Sequence, residues 1–327
     1  MREFIIGKNE AGQRFDKYLL KLLKNAGTGL LYKQLRNKNI VLNGKKAKGN
    51  EILCEKDIVR VFMADSTIDK FMGTADISYI SDMNTGELSL KVVYEDENII
   101  LADKPEGVLA QQADKNRSSM NEYLIKYLLE NGFDEKELVT FKPAFCNRLD
   151  RNTTGMMAGG KSLAGLQVIS ELIRNRSLDK YYLAIVAGTI TDKKYITGYL
   201  RKDEKNNSVT VKPDFFPDSE EIHTEYEPMG MISDERGSLT LLNVKLITGK
   251  THQIRAHLAS VGHPVLGDPK YGNPDINKKY NEKKQMLHSY RLVFPQIQGE
   301  LSYLSHKEFK TEFPDRFKKY FKELYNG

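Results

Sequence analysis

The chain has 327 residues, 40% of them hydrophobic and 29% charged, with a formal net charge of +6. That is length for one large domain and a small one, and the apolar content excludes a disordered or fibrous chain. No apolar run approaches the roughly 20 residues that span a bilayer. The start, MREFIIGKNEAG, has no signal-peptide core, and two cysteines, Cys54 and Cys146, are too few for a disulfide framework. The expected protein is cytoplasmic and makes no membrane contact.

The charge is unevenly spread. Between Gly12 and Lys48 there are ten Lys or Arg against Asp16 alone, a surplus of nine, so the rest of the chain carries a net −3. A basic block on a slightly acidic body is the footprint of a polyanion-binding module joined to something else. Within the block, Phe15, Tyr18, Leu19, Leu22 and Leu23 follow the spacing of one buried helical face. A second helix is expected near Leu30 to Lys38. The run Ile40-Val41-Leu42 then meets an Asn43-Gly44 turn, and a strand at Ile58 to Phe62 closes the unit. This order resembles the small RNA-binding domain of the ribosomal-protein S-four type, over residues 12 to 62. The resemblance implies an α/β RNA-binding domain at 1–62 whose contacts come from Arg14, Lys17, Lys33, Arg36, Lys38, Asn43 and Lys45.

Residues 63 to 90 show no sustained period and are rich in Asp, Ser, Thr and Gly, which predicts a linker. Two buried strands are expected at Val92 to Tyr94 and Ile99 to Ala102, and a small-residue strand at Met156 to Gly159. A helix is expected at Ser162 to Asn175, strands at Tyr181 to Val186 and Leu239 to Ile247, and a docked helix over 306–327 carrying Phe317, Phe321 and Leu324. Strands outnumber helices, so the fold class is α+β: a catalytic domain at 91–305 built on a mixed, mostly antiparallel sheet.

Four stretches invite a chemical reading. Asn147 to Gly155 sets Asp150 between Arg148 and Arg151; nearby positive charge favours the carboxylate form, so Asp150 is either half of a loop salt bridge or a nucleophile or base at a cleft. Gly155 to Ser162 matches the P-loop pattern GxxxxGK[ST], yet the residues before it are charged and polar where a P-loop follows an apolar strand. His252, His257 and His263 cluster, but at spacings of five and six, which do not set two ligands on one helical face, so no metal is expected. The run Thr248 to Leu258 is too dense in polar donors for a core segment and reads as a site wall. Its Arg255 is long enough to pair with a carboxylate from elsewhere in the fold.

Together, Asn147-Arg148-Leu149-Asp150 with Thr154-Gly155, Lys180 to Gly188, Thr248 to His257, Gly267-Asp268 with Tyr271-Gly272, Lys104-Pro105 with Gly107, and Leu287-His288-Ser289 resemble, in order, the motifs of the RluA/RluC/RluD family of pseudouridine synthases. The chain departs from the family at Asn147, where a histidine is usual, and at Lys250, where an arginine is common. The resemblance covers about residues 90 to 296. It implies isomerisation of uridine to pseudouridine in structured, ribosomal RNA by base flipping, with no cofactor; no obligate protein partner is evident, and nothing in the sequence demands more than a monomer. It assigns the essential carboxylate to Asp150, its charge partner to Arg255 and the residue against the base to Tyr182. Arg148 would fill the vacated stack, and Lys180, Thr154, His252 and Gln253 would contact substrate. Whether Asp150 adds to the ribose or removes a ribose proton stays open. A non-catalytic RNA-binding or ribosome-assembly factor is the alternative, and a P-loop NTPase a weaker one.

Overall fold

The computed structural model describes residues 1–72, 89–111 and 119–322. Strand β1 (Arg2–Ile5), helices α1 (Phe15–Leu22) and α2 (Thr28–Arg36), and strands β2 (Ile40–Leu42), β3 (Lys45–Lys46) and β4 (Ile58–Val61) form the amino-terminal unit. Its antiparallel sheet has the order β1-β4-β2-β3. Phe15, Leu19 and Leu23, on the face the helical spacing predicts, pack on Ile40, Val59 and Val61 in one core. The segment expected to begin a linker instead forms α3 (Asp65–Phe71). Ile68 is fully buried in the same core, with Met63, Phe71 and Met72 packed against it. The unit therefore runs to residue 72; one apolar side chain per turn is too faint a period to be seen over seven residues. The remainder of the expected linker, 73–88, lies outside the described residues.

The second sheet is built from β5 (Lys91–Glu95) and β6 (Ile99–Lys104), then, after helix α4 (Met120–Glu130), β7 (Ala144–Phe145) and β8 (Thr154–Gly160). Helix α5 (Leu163–Arg174) follows, then β9 (Asp179–Ala187), β10 (Lys194–Asp203), β11 (Ser208–Lys212), β12 (Glu220–Asp234) and β13 (Gly237–Leu246). Helices α6 (Gln253–Ser260) and α7 (Pro274–Tyr280), strands β14 (Leu287–Val293) and β15 (Glu308–Lys310), and helix α8 (Asp315–Phe321) complete it. Its order is β11-β10-β12-β13-β9-β14-β8-β6-β5, with β15 on β14 and β7 on β8. Among the strands of the described residues, only β8 and β14 pair in parallel. The tail expected to be one helix thus begins as a strand, because Glu308 to Lys310 finds the edge of β14 before Asp315 starts α8. Phe317 and Phe321 dock as expected, while Leu324 lies outside the described residues.

Alternation along β9 shows how the sheet is covered. Tyr182, Ala184 and Val186 point into a core shared with α4 and with Ile254 and Leu258 of α6, whereas Leu183 and Ile185 point to the opposite face, against Tyr280 and Phe317. Two glycines of β8 allow close approach, one of helix α5 and the other of strand β14. At Gly160 a Cβ would stand 2.2 Å from the Leu166 backbone nitrogen, and at Gly155, with φ +104°, 2.2 Å from the Ser289 carbonyl oxygen. The P-loop-like run is therefore extended chain inside a sheet. Its Lys161 ammonium is bound by the Glu95 carboxylate and the Asp96 carbonyl. The loop after β1 ties the two units together: Asn9 donates to Glu137 at 2.7 Å, and Thr140 donates to Glu10 at 2.6 Å. No helix among the described residues is long and apolar enough to cross a membrane.

Replacing Ile68 by alanine should lower the unfolding free energy by about 2–4 kcal/mol, the cost of emptying a well-packed aliphatic site. Denaturant unfolding reads this directly, and a loss under about 1 kcal/mol would mean that α3 does not belong to the amino-terminal core.

Candidate active site

Asp150 lies in the loop between β7 and β8, and several bonds fix that loop. Leu149 is buried in the main core. Asn147 accepts from the Ala158 backbone N–H at 2.8 Å and donates to the Met156 carbonyl at 3.3 Å, which staples the loop to β8. The chain thus uses the asparagine that departs from the family pattern as a clamp. From below, the fully buried Lys104 ammonium donates to the carbonyls of Pro105, Val108 and Arg151 at 3.0, 2.9 and 3.0 Å. Burial pulls Lys104 down to about 8, opposed by the charges of Asp150, Glu106 and Asp103. Arg151, one of the two sequence neighbours that suggested a salt bridge, points away and donates to the Gly107 carbonyl at 3.0 Å.

The partner of Asp150 is Arg255, from α6. Its Nη1 donates to one carboxylate oxygen at 2.8 Å, while Nε and Nη2 make a two-pronged bond to Asp268 at 2.6 and 2.9 Å. Asp268 also accepts from the backbone N–H groups of Lys270 and Tyr271. Burial opposes its charge, but the guanidinium and those two N–H groups hold its carboxyl below the usual range. Burial likewise opposes the charge of Arg255, and the two carboxylates more than offset it, so its basicity is raised. The turn carrying Asp268 requires Gly267 (φ +77°), where a Cβ would meet the Lys284 carbonyl at 2.2 Å.

His252, in the left-handed region at φ 53°, caps α6. Its Nδ1 shares a hydrogen with the Tyr271 hydroxyl at 2.9 Å, and its Nε2 is 3.8 Å from the second Asp150 oxygen. Desolvation keeps the imidazole below its ordinary value despite Asp150, with Arg255 and Lys270 working in the same direction. Tyr182, buried on β9, has its phenol pushed up to about 12 by burial, opposed by the Ser289 hydroxyl and assisted by the Asp150 charge.

Asp150 lines a cleft of about 990 Å³, in which it is the only carboxylate among the described residues. Arg148, Tyr182, Lys180, His252, Gln253 and Arg255 also line it, and Arg148 is exposed and forms no hydrogen bond or ion pair among the described residues. Two expected substrate contacts are otherwise engaged. Thr154 is absent from the lining, and its hydroxyl bonds His288 Nδ1 at 2.7 Å. Gln253 reaches the wall, but its amide donates to the His223 carbonyl and Thr224 and accepts from Thr248 and the Lys250 N–H. Each of these positions β12 or β14 instead. The remaining histidines of the cluster bind separately, His257 to Thr224 and His263 to the Ala187 carbonyl. In the amino-terminal unit, Lys17, Lys33, Arg36, Lys38 and Lys45 are exposed, whereas Arg14 is bound to Asp16. Asn43 spends its amide on Asp57 and the Ile58 N–H.

Residues 98–260 match the model of the RNA pseudouridylate synthase family. An uncharacterised RNA pseudouridine synthase of Mycoplasma genitalium is 35% identical over 299 residues, covering 90% of each chain. The chain belongs to the RNA pseudouridine synthases. The synthase is also 28% identical to the ribosomal large subunit pseudouridine synthase D of Borreliella burgdorferi, across 100% of its own length and 93% of that protein. In fold it is similar to human RNA pseudouridylate synthase domain containing 1, with TM-score 0.54 and 20% identity over 70% of this chain and 84% of that one. As a member of the family it isomerises uridine to pseudouridine in RNA.

Asp268 and Lys104 stand in motifs the sequence displays, yet neither was singled out as a site residue. No local spacing says that a carboxylate thirteen residues after Arg255 should grip it, or that a lysine at a strand end should bind three carbonyls. Replacing Asp268 by asparagine should free the guanidinium to rotate. A misplacement of about 1 Å costs on the order of 10²-fold in rate, so kcat should fall by that order while KM changes little. A loss confined to thermal stability, with kcat intact, would reduce Asp268 to a packing role.

Proposed function

We propose that Asp150 is the essential carboxylate of this synthase and that its substrate is large-subunit ribosomal RNA. The observation that carries the first part is the state of Asp150. One oxygen is held by Arg255, and the other accepts no hydrogen bond among the described residues and faces the cleft. Such a carboxylate either adds to the ribose or takes a ribose proton while the bond from N1 of uracil to the ribose breaks. The uracil then turns and bonds through carbon 5, which loses its proton, so the product is an isomer and no redox partner is consumed. Tyr182 packs against the uracil and enters the reaction as a neutral hydroxyl. Because a stacked base cannot reach a carboxylate in a cleft, the nucleotide is flipped out at a cost of a few kcal/mol. The planar guanidinium of Arg148, exposed and without an acceptor, takes its place between the neighbouring bases.

Support for the ribosomal substrate comes from relatives named as large-subunit enzymes, which match nearly the whole chain, and from the basic amino-terminal unit. That unit grips RNA phosphates in the manner of the S-four-type domain, through Lys17, Lys33, Arg36, Lys38 and Lys45. Asp150, Arg255, Asp268 and Tyr182 come from one chain, which supports a monomer as the working form, acting in the cytoplasm on RNA there.

Chemical mapping of pseudouridine in ribosomal RNA incubated with the protein tests the site. Asp150→Asn should reduce product formation at least about 10³-fold, and product at the wild-type rate would sink the assignment. Replacing Lys33, Arg36 and Lys38 together by glutamine should weaken binding of ribosomal RNA and lower the salt slope by about 2 to 3. An unchanged slope would make this face merely solubilising.

A further inference from the structure

We infer that Arg174 and Arg176 bind the phosphodiester backbone of the RNA strand beside the flipped uridine, next to the Arg148 that fills the vacated stack, an inference that rests on the cleft being the RNA site. The cleft is lined by eight Lys or Arg and by Asp150 alone among carboxylates of the described residues. Five of those cations are already engaged. Arg255 holds Asp150 and Asp268, Lys250 is paired with Glu220, Lys270 donates to the carbonyls of Asn206 and Asn207, Arg151 binds Gly107, and Lys180 is buried on the Leu178 carbonyl. The three left without an acceptor among the described residues are Arg148, Arg174 and Arg176, and all three are exposed.

They also share one lip. Arg174 ends α5 and Arg176 lies in the turn to β9. The stretch leading to Arg148 packs on α5, with Ser170 donating to the Cys146 sulfur at 3.4 Å and the Cys146 thiol pointing to the Leu166 carbonyl. The engaged Lys250 and Lys270 flank α6 in sequence, so the unpaired positive charge comes from the end of α5, the turn after it and the loop packed on it. A guanidinium offers a planar fork that matches two phosphate oxygens, which a free ammonium does not. Arg174 alone could be read as completing the carbonyl end of α5, but that reading leaves Arg176 unexplained. Arg176 adopts φ 60° two residues past the helix end, a conformation in which glycine or asparagine is favoured. The chain accepts that strain and keeps a guanidinium at the mouth of the cleft.

The test is binding of fluorescently labelled oligouridylate by the full-length protein, titrated between about 50 and 200 mM salt. The variant pairs Arg174→Gln with Arg176→Gly. Glycine suits the left-handed position, so lost folding cannot imitate lost binding, and a thermal melt verifies this. The dependence of log K on log salt should become shallower by about 1.4, two single-strand phosphate contacts at about 0.7 each. The paired Arg174→Lys, Arg176→Lys variant should recover most of that slope but less of the affinity. Wild-type affinity and slope in the Gln/Gly variant would overturn the inference. Because binding is read without chemistry, a protein that makes no pseudouridine yet shows the shallower slope would refute the catalytic proposal alone. One that makes pseudouridine with an unchanged slope would refute only the phosphate clamp.

Discussion

Everything at the centre of this protein depends on one buried guanidinium shared between two carboxylates. A cation taken out of water is costly unless it is paired and hydrogen-bonded. Arg255 meets that condition through Asp268, which has no exposed side-chain surface and binds it in a two-pronged bond backed by two backbone N–H groups. The Asp268 pair already neutralises Arg255, and of the three N–H groups left over, one on Nη1 orients Asp150. The second oxygen of Asp150 therefore stays available at the cleft.

That arrangement in turn depends on how three elements far apart in sequence are placed. The loop of Asp150 is held by Asn147 against β8 and by the Lys104 ammonium against the end of β6. Helix α6, which carries Arg255, is fixed through Gln253, whose four bonds reach β12 and the preceding turn. Tyr182 comes from β9, a strand buried on both faces. Residues whose polar groups are spent inside the fold thus govern the position of those whose polar groups face the cleft. Gln253, expected to contact RNA, is of this kind, and so is Thr154, which binds His288.

Much of the architecture was legible in advance. The helical face of Phe15 to Leu23, the strands at Ile99 and Leu239, and the helix after Ser162 follow from apolar spacing and appear within a residue or two of the expected bounds. The elements missed or misread include long ones, helix α4 and the largely exposed strands β10 and β12, as well as short ones. Helix α3 exposes only Ile68 as a clear core residue, and β1 shows four residues of weak alternation. Strand β15 is defined by its neighbour β14 more than by its own composition. In the site, the family resemblance singled out Asp150, Tyr182 and Arg255, whereas the two arginines flanking Asp150 in sequence proved not to be its partners.

The amino-acid sequence by itself determined the periodicities, the basic block and the order of motifs, because those are properties of neighbours along the chain. Which oxygen of Asp150 is open, that Asp268 shares its arginine, and that Thr154 and Gln253 are spent inside the fold were decided only by tertiary structure. The physical reason is range: a hydrogen bond is made or lost within a few tenths of an ångström, and such distances between residues 105 positions apart are set by packing that no local pattern encodes.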